Sequence, residues 1–337
     1  MTALHHPPPG PVTADDVAAA AGVSRWTVAR AFKKDASISR QSRQKVMEAA
    51  ERLGYAPDLL AASLASDRSN LVALVADDFT NPHKLVMLER LTRILRKRDT
   101  GVLLVNMLEE SDPSSALLAA SQRRVDAAVV IGSNFDDRVL DTALGARRVK
   151  KLVIFARASQ NPNTVTITCD DTAAMAEIAQ YLFAKGLRRP MFVAGPDTQS
   201  ARLHRRESFL AAWQRLASVV PPAIHVPRYD MACALDGICT ALGRLARSDL
   251  PDVLVCENDI IAIGAVDALR YRLGLRVPGD VAVTGFDDIP LAAAPAYDLT
   301  TFRQPITRMA EALARLLDEG SSEDVILPGT FIPRSSA

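Results

Sequence analysis

The sequence predicts a small all-α unit of three helices, followed by a larger α/β unit of two lobes, each a parallel sheet with helices on both faces. The first observation is a pair of short amphipathic helical patterns separated by a tight turn, between residues 13 and 35. The second is an alternation of short apolar runs with longer helical segments from residue 71 onward, which is typical of parallel sheets. Because this alternation occurs in two series, we expect two doubly wound lobes with a cleft between them.

Length and composition fit this architecture. The chain of 337 residues can hold several domains with a large buried core, and 48% of its residues are hydrophobic. Residues 1–10, MTALHHPPPG, are rich in proline and are expected to form a disordered leader. Because the chain has no apolar signal segment and no apolar run of about 18 residues, we expect a cytoplasmic protein with no membrane partner.

The two helices of the first unit are predicted from their apolar faces and from the turn between them. Each helix places three apolar side chains on one face: Val17, Ala18 and Ala21, then Val28, Ala31 and Phe32. Gly22 can adopt the positive φ that a sharp turn requires, and Ser24 is a favourable N-cap. A third helix is expected to end at Gly54, with Tyr55 closing the small core.

Positive charge is concentrated in the second and third helices. Between Ser24 and Lys45 there are seven basic residues and one acidic residue, although the formal net charge of the whole chain is only +1. A compact helix pair with local positive charge is typical of a DNA-binding unit, since phosphate neutralisation supplies most of the non-specific affinity. The alternative is a solvated helical hairpin with a chance cluster of lysine and arginine.

The α/β unit is predicted from short apolar runs that indicate buried strands. The first series comprises residues 71–76, 101–105, 127–131 and 152–155, and the second comprises residues 191–195, 253–256 and 281–285. Helices are expected between them, including residues 171–185, 205–216 and 258–273. Ligands of such lobes bind in the cleft, near the carboxyl ends of the strands.

The segments DVAAAAGVSRWTVARAF and ISRQSRQKVMEAAERLGYAPDLLAASLAS resemble the DNA-binding head and hinge of the LacI/purine-repressor (LacI/GalR) family of bacterial transcriptional regulators. The resemblance implies a helix-turn-helix head at residues 11–57, a hinge helix at 58–69 and an effector-binding and dimerisation domain at 70–337. It further implies lobes like those of type I periplasmic binding proteins, with the chain crossing between them more than once. The first lobe is expected at residues 70–165 and 298–323, and the second at residues 166–297 and 324–337.

The resemblance also implies a function. The protein is expected to bind a pseudo-palindromic operator in double-stranded DNA as a homodimer and to repress genes of carbohydrate uptake or catabolism. A small polar effector, such as a sugar, a sugar acid or a phosphosugar, is expected to control DNA binding allosterically. In the family that the chain resembles, effectors act as inducers in many members and as a corepressor in another.

A recognition helix presents its first residues to base edges in the major groove. We expect four residues to read bases: Arg25, Trp26, Ala29 and Arg30. Arg25 can pair with guanine through two parallel hydrogen bonds, and the resemblance places Arg25 and Trp26 at the positions that most determine operator sequence. The alternative for Trp26 is a place in the core of the head. Four hydroxyls are expected to position phosphates: Ser24, Thr27, Ser39 and Ser42.

The hinge departs from the family pattern. Many members have Asn after the Tyr-x-Pro and basic residues on the hinge helix, whereas this chain has Asp58 followed by Leu-Leu-Ala-Ala. Leu64 matches the leucine that family members insert into the minor groove as a wedge. We therefore expect operator affinity to depend less steeply on salt than it does in a relative with a basic hinge.

Effector-binding residues are expected on both lobes. On the second lobe the resemblance selects Arg205, Asn258 and Asp287, and a carboxylate beside an arginine can bind adjacent hydroxyls of a polyol. The alternative is that Asn258 and Asp287 are helix caps and that Arg205 is a surface charge.

On the first lobe the corresponding residues are Asn81, His83 and Lys84. His83 and Lys84 stand where relatives have a pair of aromatic residues. The loss of stacking area and the charge of Lys84 favour an anionic or strongly polar effector. Alternatively, His83 only begins a helix.

Enzyme chemistry is not predicted, because the chain lacks phosphate-binding glycine motifs, the G-x-S-x-G nucleophile motif and H-E-x-x-H. The four cysteines, Cys169, Cys233, Cys239 and Cys256, have no C-x-x-C spacing, so buried thiols are favoured over metal or redox roles. We expect no metal and no cofactor. Two other interpretations are a solute-binding protein with the same lobes and an architectural DNA-binding protein with a vestigial ligand lobe.

Overall fold

The computed structural model describes residues 10–33, 36–58, 68–107, 113–132, 149–196 and 203–337. The chain divides into two compact units, Met1–Ser69 and Asn70–Ala337. Residues 1–9 of the predicted leader and residues 59–67 of the predicted hinge, including Leu64, lie outside the described residues.

Helices α1 (Ala14–Ala21), α2 (Arg25–Ala31) and α3 (Arg40–Leu53) form the first unit. At the start of α1, the Thr13 hydroxyl accepts the Asp16 N–H and the Asp16 carboxylate accepts the Thr13 N–H, which forms a capping box. Gly22 ends α1 with φ of +65°, and Ser24 caps α2, as predicted. The tight turn between the helices is therefore specified locally by its own residues.

One face of each helix supplies the core of the head. The buried side chains are Val17, Ala18, Val28, Ala31, Val46, Ala49 and Ala50. Ala21 and Phe32 are partly buried at the edge of this core. Phe32 and Tyr55 make an edge-to-face contact with ring centroids 5.7 Å apart, so the prediction that Tyr55 closes the core is confirmed.

The second unit alternates strands and helices. Its strands are β1 (Leu71–Ala76), β2 (Gly101–Asn106), β3 (Ala127–Ile131), β4 (Leu152–Phe155), β5 (Val165–Cys169), β6 (Pro190–Ala194), β7 (Ala223–His225), β8 (Val253–Cys256), β9 (Ala282–Thr284), β10 (Thr301–Arg303), β11 (Val325–Leu327) and β12 (Thr330–Ile332). Its helices are α4 (Pro82–Arg96), α5 (Pro113–Gln122), α6 (Asp171–Ala184), α7 (Arg205–Ala217), α8 (Met231–Leu242), α9 (Asp259–Asp267) and α10 (Ile306–Glu319). A π-helical turn, Ala268–Arg272, continues α9, and short 3-10 turns lie at Arg247–Asp249 and Pro290–Ala293.

Two parallel sheets organise these elements, which confirms the predicted architecture. The first has six strands in the order β11-β5-β4-β3-β1-β2, and the second has four in the order β7-β6-β8-β9. Strands β10 and β12 form a separate antiparallel pair. Seven strands follow the predicted apolar runs, and β12 overlaps residues 331–333, whose sequence FIP also predicts a strand. Strands β5, β7, β10 and β11 were not predicted, because they are short or carry polar residues.

Both faces of each sheet are covered. In β1, Val72 and Leu74 pack into one buried cluster, which also contains residues of α4 and α10, while Ala73 and Val75 pack into another with residues of α5. Strand β8 divides in the same way between two clusters of the second lobe. A strand buried on both faces reads as a continuous apolar run, which is why these strands could be predicted.

The chain passes between the two lobes after β5, after β10 and after β11. Strand β11 pairs with β5 in parallel register, and both belong to the six-stranded sheet. This sheet therefore takes residues 166–169 and 325–327 from ranges that the sequence assigned to the second lobe. Local periodicity identifies a strand but does not say which sheet it joins.

Among the described helices, none is long and apolar enough to cross a membrane. All four cysteines are free thiols; Cys169 and Cys256 are buried, and Cys233 and Cys239 are partly buried. Within the described ranges, no group of three or more His, Cys, Asp or Glu side chains is placed to hold a metal ion.

Candidate functional site

Helix α2 presents the predicted base-reading residues on the surface of the head. Trp26 is 66% exposed, so the alternative of a core position for Trp26 is wrong. The Arg30 guanidinium lies over the Trp26 ring, with its Cζ atom 4.2 Å from the ring centroid. Arg25 is exposed and forms an ion pair with Asp15 at 3.4 Å. The helix thus offers apolar area and fork-shaped hydrogen-bond donors together, which is the chemistry that base edges require.

Four hydroxyls stand at the starts of the helices of the head. The Ser24 hydroxyl accepts the Thr27 N–H at 3.2 Å, and the Ser39 hydroxyl accepts the Ser42 N–H at 3.0 Å. The side chains within each pair are also hydrogen-bonded to each other. Ser24 and Ser39 therefore cap α2 and α3, and contact of the four hydroxyls with phosphates stays a prediction.

Arg43 has a structural role that the charge count did not reveal. Its guanidinium donates to the backbone carbonyls of Ala31, Lys33 and Ala36 at 2.8, 3.1 and 3.3 Å. These bonds tie α3 to the segment that follows α2. Arg43 adds to the positive field of the head, but its donors are directed at the backbone rather than at solvent.

The predicted effector residues meet at one cavity of the second unit. The cavity encloses about 470 Å³ of space, a volume that includes the open solvent at its mouth. All six predicted residues line it: Asn81, His83, Lys84, Arg205, Asn258 and Asp287. The first three lie at the start of α4 and the others on the second lobe, so both lobes form its walls.

Arg205 is the central cation of the second-lobe wall. It is only 3% exposed, so its interpretation as a surface charge is wrong. Its Nε donates to Asp171 at 3.3 Å, its Nη1 donates to the Glu257 carbonyl at 2.8 Å, and Asp287 lies 3.7 Å from Nη1. The guanidinium also stacks 3.8 Å from the centroid of Phe286. Although burial alone would lower the pKa of Arg205, the surrounding carboxylates outweigh it and raise that pKa, so Arg205 stays charged.

Asn258 and Asp287 stand beside Arg205 in different local structures. Asn258 caps α9, since its Oδ1 accepts the Ile261 N–H at 3.0 Å, and it also lines the cavity. Asp287 caps no described helix and has a strained φ of +116°. Such strain is found at functional sites, where the surrounding structure holds the residue in place. The interpretation as caps therefore holds for Asn258 and fails for Asp287.

The first-lobe wall is the first turn of α4. Asn81 caps this helix by accepting the His83 N–H at 3.0 Å. His83 is 4% exposed, and its Nε2 lies 3.1 Å from Nε2 of Gln304 and 3.6 Å from Asp287. Burial lowers the pKa of His83 despite the opposing charge of Asp287, so the imidazole is neutral and accepts from the Gln304 amide. His83 thus both begins the helix and forms part of the cavity.

Lys84 differs most from what the sequence indicated. Its Nζ forms an ion pair with Asp77, and Asp78 lies 3.6 Å away. The sequence argument for an anionic effector counted Lys84 as an uncompensated charge, and that count is wrong because two carboxylates lie next to the ammonium group.

Sequence reasoning missed several residues of the site. Gln304 donates to Asp287 at 2.7 Å, and its buried Oε1 has no hydrogen-bond partner among the described residues. Tyr229 lines the cavity, and its hydroxyl donates to Glu257 at 2.9 Å. Tyr229 and Phe155 give the cavity aromatic surface, although His83 and Lys84 replace the pair of aromatic residues that relatives have. Arg157 donates to the carbonyls of Gly132 and Ala158 at 2.6 and 2.8 Å. No local pattern marks these residues, since they join the site only through the tertiary fold.

Comparisons with known proteins agree with both units. The family model for bacterial regulatory proteins of the lacI family matches residues 13–58, and the model for a periplasmic binding protein-like domain matches residues 179–337. The chain is 26% identical over 332 residues to the HTH-type transcriptional regulator DegA of Bacillus subtilis, covering 95% of this chain and 96% of DegA. It is 29% identical over 290 residues to the sucrose operon repressor of Escherichia coli, covering 81% and 83% of the two chains.

A solved structure is similar over nearly the whole length. The crystal structure of the lac repressor dimer bound to operator and the anti-inducer ONPF matches with a TM-score of 0.82, covering 97% of this chain and 99% of that chain. The identity of 22% limits this likeness to the fold.

Proposed function

Because the chain belongs to the LacI family of bacterial regulatory proteins, we propose that it is a repressor that binds its operator as a homodimer. A small polar effector controls this binding. Members of the family are DNA-binding regulators and not enzymes. The observation that carries the proposal is the convergence of residues from both lobes on one cavity, in a chain that also has an exposed recognition helix.

The effector site can control DNA binding because the cavity lies between two lobes. A ligand that contacts α4 on one lobe and Arg205 and Asp287 on the other stabilises one arrangement of the lobes over another. Such a ligand changes operator affinity only if it binds the two arrangements with different affinity. The genes of carbohydrate uptake or catabolism are the proposed targets, which the name of the sucrose operon repressor supports by analogy.

Hydrogen-bonding groups of the second-lobe wall favour a polyhydroxy ligand such as a sugar. Asp287 accepts hydrogen bonds, Arg205 is a fork-shaped donor, and Asn258 uses its amide oxygen for capping while its amide nitrogen makes no hydrogen bond to the described residues. The Gln304 oxygen, which has no partner in the described part of the chain, is a further acceptor. Adjacent hydroxyls can satisfy such groups by donating to one and accepting from another.

The test begins with selection of a binding sequence from a random DNA library, followed by a screen of sugars, sugar acids and phosphosugars for a change in affinity for that sequence. A ligand at 100 times its dissociation constant stabilises the protein by about 2.7 kcal/mol, so thermal shift identifies candidates. We expect Arg205→Ala and Asp287→Ala to keep DNA affinity and to lose the response to the effector.

Arg206→Ala is the matched control, since Arg206 is partly exposed and forms an ion pair with Glu207 at 2.9 Å. It is expected to respond as the wild type does. An architectural protein with a vestigial ligand lobe predicts instead that no ligand changes DNA affinity in any variant. Failure to select a DNA sequence would refute the repressor proposal itself.

A further inference from the structure

We infer that the Asp77 carboxylate occupies the anion-binding position next to Lys84 and so makes the cavity select uncharged ligands over anionic ones. The inference rests on the proposed effector cavity for its biological meaning. Its physical basis is a side-chain arrangement on the first-lobe wall, and its first test needs no effector.

Lys84 and Asp77 form a buried ion pair at the cavity wall. Lys84 lies in the first turn of α4, and Asp77 directly follows β1. Their side chains are 9% and 5% exposed, and the ammonium group contacts the carboxylate directly. An ammonium group that lines a polar cavity would otherwise attract an anionic ligand, and here an anion of the chain itself already lies beside it.

Gly132 provides the room for this carboxylate. It directly follows β3, the strand next to β1, and lines the same cavity. A Cβ atom at residue 132 would lie 2.1 Å from Cγ of Asp77 and 2.3 Å from each of its carboxylate oxygens. Since no side chain tolerates such contacts, the carboxylate keeps this position because residue 132 is glycine. The ion pair of Lys84 and Asp77 therefore also depends on Gly132, the residue that follows β3.

The remaining cations of the wall are also engaged. Arg205 contacts Asp171 at 3.3 Å and lies 3.7 Å from Asp287, and Arg157 donates two bonds to backbone carbonyls. An anionic ligand near Lys84 must either displace a bonded carboxylate or lie beside it, and it loses its hydration in both cases. A neutral ligand meets neither obstacle.

The first test titrates sulfate into the full-length protein at constant ionic strength, with chloride as the reference salt. Asp77→Asn keeps the shape of the side chain and removes its charge, which leaves Lys84 without its nearest anion. We expect this variant to bind sulfate at least about tenfold more tightly than the wild type by calorimetry. The gain should disappear in the double variant Asp77→Asn/Lys84→Met.

Glu177→Gln is the matched control for net charge, because Glu177 is exposed on α6 and forms no ion pair with the described residues. It should bind sulfate no better than the wild type does. A gain in Asp77→Asn that persists without Lys84, or an equal gain in Glu177→Gln, would overturn the inference.

Sulfate titrations of the wild type and of Lys84→Met test the inference even if Asp77→Asn does not fold. Sulfate binding by the wild type that is lost in Lys84→Met shows that Lys84 is open to anions and overturns the inference, whereas no Lys84-dependent binding supports it. These results do not depend on whether any sugar acts on DNA binding, so they are separable from a failure of the proposed function. Once an effector is found, the Asp77→Asn variant should shift preference towards its acid form by about tenfold.

Discussion

Gly132→Ala is expected to destabilise the second unit by about 3 kcal/mol. The new methyl group would lie 2.1 to 2.3 Å from three atoms of the Asp77 carboxyl group, so the carboxylate must move. Overpacking of this kind costs about 1–3 kcal/mol. Moving the carboxylate adds part of the roughly 3–5 kcal/mol that follows from breaking a buried ion pair. Only part applies, because Asp78 remains 3.6 Å from Lys84.

Thermal unfolding of the full-length protein measures this effect. For a unit of this size about 1 kcal/mol corresponds to a shift of about 2–4 °C, so the midpoint should fall by roughly 6–12 °C. Gly101→Ala is the control in the same lobe, since its nearest neighbour is the flexible end of Leu71 at 3.2 Å, and it should cost less than about 1 kcal/mol.

A double-mutant cycle identifies the cause. In an Asp77→Ala background the carboxylate is absent, so Gly132→Ala should cost at least about 2 kcal/mol less than it does in the wild type. If the two substitutions are additive to within about 0.5 kcal/mol, the loss of stability arises from the backbone of residue 132 and our reasoning about Asp77 is refuted.

Two further predictions concern stability. Burial raises the pKa of Asp171 to about 6 from an ordinary value of 3.8, although Arg205 acts to lower it. The folded state therefore holds this proton more tightly than the unfolded state, and the resulting stability is present below pH 3.8 and lost as the pH rises to about 6. The melting temperature of the wild type relative to Asp171→Asn should thus fall between pH 4 and 6, and an unchanged difference across this window would argue against the shift. In the head, Arg43→Ala removes three hydrogen bonds to carbonyls and should cost about 1–3 kcal/mol, measured as faster hydrogen exchange in α2, whereas the exposed Arg40→Ala should leave exchange unchanged.

The head could be predicted almost entirely from its sequence, because its structure depends on interactions between near neighbours. Ser24 caps a helix through a residue three positions away, and Gly22 ends one through its own φ. The apolar faces follow from the helical period. The exposed Trp26 was the one ambiguous residue, since an aromatic ring suits either a small core or a surface that contacts DNA.

The proposed effector cavity was predictable only in part. Its six expected residues do meet, because carboxyl ends of parallel strands and the helices that follow them lie at one edge of a sheet. Gln304 escaped notice because it is 221 residues from His83, which it contacts. Local patterns also could not predict the boundary between the lobes, since β5 pairs with β11, which is more than 150 residues away along the chain.

By itself the sequence determined the helices, the turn of the head, most strands and the polar residues of the cleft, because backbone conformation and burial periodicity are encoded locally. Only the tertiary structure decided which charges of the cleft are compensated. Lys84 reads as a free cation along the chain, yet the fold of β1, β3 and α4 brings the Asp77 carboxylate against it and leaves room for that carboxylate over Gly132. Electrostatic compensation depends on distances of a few ångströms in three dimensions, which no spacing along the chain can supply.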